Sequence, residues 1–100
     1  MSDENLADAE FIALADAFVA LANERSAEAG GVKVGAAMLY AATRFNAYVV
    51  ASRTRDADEL KADHAIALQH FSEQHDSMLT QNLDDYATHY ASLIEQARQP

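Results

Sequence analysis

Alanine supplies 22 of the 100 residues, whereas glycine occurs three times and proline once, at the final position. Strands and hairpins draw on β-branched runs and on turns built from glycine, asparagine and aspartate, while alanine is the best helix former. The chain is therefore expected to be all-α. The same alanines limit its core, because they bury little area each. A chain of this length forms one domain, 1–100, and buries only about 60 to 70% of its unfolded surface. Ordering it costs on the order of 100 kcal/mol in conformational entropy. A second copy of the chain is the simplest source of extra burial, so a homodimer is expected.

Periodicity predicts helices over about 5–29, 34–53, 57–80 and 82–97, the last two possible as one continuous helix. In the first, Phe11, Leu14, Phe18, Leu21 and Ala22 form one stripe that Ile12 and Val19 widen, with Glu10, Asp16, Asn23 and Glu24 outside it. Gly30 and Gly31 then supply the permissive backbone of a tight helical corner. In the second helix Val34, Met38, Ala41, Phe45, Tyr48, Val49 and Ser52 form one side and Leu39 and Val50 extend it. Only a strip around Tyr40, Arg44, Ala47 and Ala51 is left for water. That helix is expected to be buried nearly all round in a bundle. It is not expected to cross a membrane, because Arg44 at its middle costs about 2.5 kcal/mol or more in a bilayer.

Asp56-Ala-Asp-Glu59 has the spacing of a capping box and starts the third helix at Ala57. Its stripe continues through Leu60, His64, Leu68, Phe71, His75, Met78, Asn82, Tyr86, His89 and Leu93 without a glycine or proline. Asn82-Leu-Asp-Asp85 offers an alternative start for a separate last helix. A continuous helix overshoots the shorter ones and exposes Tyr86, Tyr90 and Leu93, which are the expected interface residues. The expected architecture is a three- or four-helix antiparallel bundle with a long C-terminal helix, completed by dimerisation.

Composition also narrows function. Sixteen acidic against seven basic residues give a net charge of −9, which repels phosphate backbones and anionic lipid. No nucleic acid and no membrane partner is expected. The absence of cysteine excludes disulfides, thiolate metal sites and cysteine nucleophiles. The start, Met1-Ser-Asp-Glu-Asn5, lacks the cationic and apolar regions of a secretory signal, so a cytoplasmic location is expected.

His64, His75 and His89 share the long helix's stripe, but their spacing separates them by about 16 and 21 Å along the axis, so they cannot share one metal. No histidine has an acidic residue three positions before it, as a bundle di-metal centre requires. No metal and no cofactor is expected. The stripe histidines are expected to be partly buried at an interface, with acid opposing assembly through His64 and His75, and Asp85 with His89 to form an ordinary i, i+4 pair that favours the charged ring. Gly30-Gly31-Val-Lys33-Val-Gly35 lacks the spacing of a phosphate-binding loop, and there is no Gly-x-Ser-x-Gly elbow. An enzyme is not expected. The run from Tyr40 through Thr43, Arg44, Phe45 and Asn46 to Tyr48 places hydrogen-bonding groups in an apolar helix. It is either a structural network pairing Arg44 with Asp84 or Asp85, or a pocket in which Arg44, Asn46 and the tyrosines hold a small anion.

Phe18-Val-Ala-Leu-Ala-Asn23-Glu24, the run from Tyr40 to Ser52, Ala57-Asp-Glu-Leu-Lys-Ala-Asp63 and Asn82-Leu-Asp-Asp-Tyr86 resemble a family of small bacterial proteins known only as a domain of unknown function. The likeness runs from about Phe18 to Tyr90. It implies a bacterial, cytoplasmic, helical protein and brings no activity or site residue. The expected function is association with itself and with a protein partner in a helix groove. The alternative is a small-ligand or metal-binding bundle using the Arg44/Asn46 or histidine face.

Overall fold

In the computed structural model, residues 3–95 and Arg98 are described, with side chains from Asp8 onward. The described chain is all-α: α1 spans Asp3–Ala29, α2 Gly31–Ser52 and α3 Ala57–Thr88, followed by a π-helical turn at Ala91–Glu95. One compact unit extends through Val49 and a second begins at Val50. Each is taken by itself.

In the first unit a single residue separates two helices. Gly30 has φ of +87°, the left-handed region that a β-carbon disfavours. Its N–H donates to the Ser26 carbonyl at 2.9 Å and its own carbonyl accepts from Val34 N–H at 3.1 Å. Gly30 thus ends α1 and satisfies a free amide of α2 at once.

Burial in this unit departs from the expected stripe. Among the described side chains of α1, Ala15, Ala22 and Ser26 are half-buried, seven and four positions apart on one face. The Ser26 hydroxyl keeps itself satisfied by donating to the Ala22 carbonyl at 2.7 Å. At about 100° per residue this small-residue seam runs between Phe11 and Phe18 on one side and Ile12 and Val19 on the other. All four large side chains remain exposed, as do Leu14 and Leu21. On α2, Val34 is the buried residue, Asn46 and Val49 are half-buried, and Leu39, Phe45 and Tyr48 are exposed. The near-complete burial expected for α2 is therefore absent from the single chain. Small seams let helices approach closely, which leaves bulky flanking side chains outside the contact.

In the second unit α2 closes through Arg53 and Thr54 amides that donate to Val50 and Ala51 carbonyls, each at 3.1 Å. Asp56 caps α3 in extended geometry, φ −159° and ψ 175°, and its carboxylate accepts from Glu59 N–H at 2.9 Å. Only half of the capping box forms as the spacing suggested. The Glu59 carboxylate bonds the Arg55 guanidinium at 2.7 Å. Along α3, Leu60, Asp63, Ala67 and Phe71 are half-buried at spacings of three and four, and from Ser72 to Leu93 every side chain is exposed. The helix runs through Asn82 without interruption. It ends where His89, at φ −111° and ψ 30°, donates its N–H to the Asp85 carbonyl at 3.0 Å.

Candidate functional site

The polar run of α2 lies on the surface. Tyr40, Arg44 and Tyr48 recur every fourth residue and so form one ridge along the helix, with Phe45 beside it. Tyr40, Phe45 and Tyr48 are 65%, 65% and 68% exposed. The ridge is organised by its own members. The Arg44 guanidinium lies over the Tyr40 ring at 5.7 Å, and the Phe45 and Tyr48 rings pack at 6.4 Å with a 42° tilt. The Thr43 hydroxyl donates to the Tyr40 carbonyl at 2.8 Å, so it is spent within the helix. Asn46 is half-buried and lies off the ridge. Arg44 is exposed, so the desolvation that makes an unpaired guanidinium costly does not arise here.

Asp84 and Asp85 are exposed on α3. The Asp85 carboxylate stands 3.3 Å from His89 Nδ1, the i, i+4 contact that the spacing suggested, and both side chains are more than half exposed. Tyr86, Tyr90 and Leu93 are 48%, 44% and 40% exposed. Tyr90 lies past the end of α3, where the Arg98 guanidinium sits over its ring at 5.8 Å and donates to its hydroxyl at 3.1 Å.

His64, His75 and His89 are exposed in the single chain as well. His70 packs edge-on against Phe71, with ring centroids 5.2 Å apart. Among the described residues no group of three or more histidine, aspartate or glutamate side chains could hold a metal ion. A shallow depression among Glu10, Ala13, Leu14 and Ala17 occupies one face of α1, and it is a furrow between side chains open to solvent. Among the described residues no helix is long and apolar enough to cross a membrane.

The features with chemistry to offer are thus surfaces. Two lie in different parts of the chain: the aromatic and cationic ridge of α2, and the exposed apolar side chains Met78, Leu79, Leu83 and Tyr86 of α3. Met78 and Tyr86 lie on the stripe that periodicity traces, with Leu79 and Leu83 outside it; Tyr40 and Arg44 lie on the strip it left for water, whereas it counted Phe45 and Tyr48 as inward-facing.

The family described as "Protein of unknown function (DUF3144)" matches residues 11–87, and the chain belongs to it. That span begins at the large apolar stripe of α1 and stops one residue short of the end of α3. No curated protein and no solved structure gives a match.

Proposed function

We propose that this member of the family works by association, without catalysis, as a twofold homodimer whose paired helices complete an antiparallel bundle. The observation that carries the reading is the exposure of large apolar side chains in long helical rows. Phe11, Leu14, Phe18 and Leu21 on α1 and Met78, Leu79, Leu83 and Tyr86 on α3 are between 47% and 64% exposed, and Tyr90 and Leu93 continue the second row. Burying one such side chain fully is worth about 1.5 to 3 kcal/mol. Contiguous apolar patches of more than a few hundred Å² are uncommon on soluble monomers and mark interaction sites. The expected interface residues Tyr86, Tyr90 and Leu93 belong to this row. A protein partner would use the apolar groove left between paired helices.

Light scattering across the micromolar range tests the reading. The expected mass is twice that of the 10.9 kDa chain. A monomer mass at high micromolar concentration overturns it.

A further inference from the structure

We infer that the α2 ridge of one chain docks on the C-terminal half of α3 of its twofold partner, and reciprocally. This rests on the dimer proposed above and specifies which faces meet.

Charge decides the pairing. From Gly31 to Arg55 the chain carries Lys33, Arg44, Arg53 and Arg55 and no aspartate or glutamate. From Ala62 to Ala97 it carries Asp63, Glu73, Asp76, Asp84, Asp85 and Glu95 and no lysine or arginine. A symmetric contact of α3 with α3 would bring together two segments that carry carboxylates and no lysine or arginine, with Asp76 and Asp85 flanking the apolar row on its two sides at about 100° per residue, and a contact of α2 with α2 would oppose two arginines. Like charges held at an interface cost several kcal/mol, whereas opposite charges select the register. The unlike faces are complementary in a second respect. The ridge offers Tyr40, Phe45 and Tyr48, of the aromatic type enriched in interface cores, and α3 offers exposed Met78, Leu79, Leu83 and Tyr86. Arg44 is already braced on Tyr40 at 5.7 Å, so less side-chain freedom remains to be lost when it meets a carboxylate. The acidic residues of α1 are a poorer match: Arg25 interrupts them, and α1 already shares a compact unit with most of α2. In a twofold dimer each such contact occurs twice.

Charge reversal distinguishes contact between chains from contact within one. Arg44→Glu alone, and Asp76→Arg with Asp85→Arg in a second variant, should each raise the dimer dissociation constant by at least about tenfold. Mixing the two variants restores a dimer containing one of each, because both of its contacts are again between opposite charges. Failure to recover on mixing overturns the inference, as does recovery only when all three changes sit in one chain. Native-like dimerisation of either variant alone also overturns it. If the unaltered chain is a monomer, the proposed dimer falls too; if it is a dimer and the mixture fails, only the face assignment falls. All three positions are exposed, and circular dichroism verifies that the variants keep their helix. Cross-linking gives an independent reading because the chain has no cysteine. Under mild oxidation, Tyr48→Cys mixed with Tyr86→Cys should give a linked pair carrying one of each. A yield no higher than that of Thr80→Cys in place of Tyr86→Cys overturns the inference.

Discussion

Single residues set where the helices of this chain begin and end. Gly30 is held at φ +87°, and a β-carbon built there meets nothing within 4 Å, so the cost of a side chain is conformational alone. Gly30→Ala should therefore destabilise by about 1 to 2 kcal/mol. Gly31 opens α2 with equally free space. Gly31→Ala should leave stability unchanged or raise it by up to about 1 kcal/mol, since alanine is the better helix residue. Thermal melts of the two variants shifting in the same direction would contradict this account. Asp56 acts by a different route, through the 2.9 Å bond from Glu59 N–H to its carboxylate. Asp56→Ala should cost about 1 kcal/mol, with Asp56→Asn nearly neutral because asparagine caps comparably. Glu59→Ala should cost less than about 1 kcal/mol, since its partner Arg55 is 90% exposed and such a pair is weak in water. A larger loss from Glu59→Ala than from Asp56→Ala in denaturant titrations would reverse the assignment.

At the scale of elements, α3 raises the question of what Asn82 does. Its side-chain amide donates to the Met78 carbonyl at 2.9 Å, one turn back, inside an unbroken helix. A cap would accept from an amide ahead; an asparagine in a helix interior competes with the backbone and lowers propensity. Asn82→Ala should thus raise the melting temperature by an amount equivalent to about 0.5 kcal/mol. A loss of about 1 kcal/mol would show that Asn82 caps a separate helix in solution. The burial pattern of α3 explains why this stretch needs a strong local helix: past Phe71 the exposed side chains give it little support from packing within the chain. Most helical stability in proteins comes from packing of an apolar face rather than from propensity.

For the whole molecule, the proposed dimer would couple folding to association. If the exposed rows are covered by a second chain, stability includes the association free energy and depends on concentration by mass action. The melting temperature should rise steadily as the protein is taken from low to high micromolar concentration. A midpoint unchanged over a hundredfold range would mean that one chain is stable alone.

Composition was enough to read the all-α class, and residue spacing the corner at Gly30, the cap at Asp56 and the Asp85–His89 contact, because each of these three depends on neighbours within about one helical turn. The Arg55–Glu59 pair is equally local and was missed, since two partners competed for one carboxylate. The direction in which each helix turns its apolar side could not be read in this way. Phe11, Phe18 and Ile12 compete with Ala15 and Ser26 for the arc of α1 on which Ala22 lies, and periodicity favours the larger side chains. Packing favoured the small ones, since a seam of alanine and serine admits close approach and bulky residues at its margins do not. Tyr40, Arg44 and Tyr48 illustrate the same division. Their spacing makes them a ridge in any α-helix, but whether a ridge faces protein or water depends on what lies across from it, and that is a property of the folded chain.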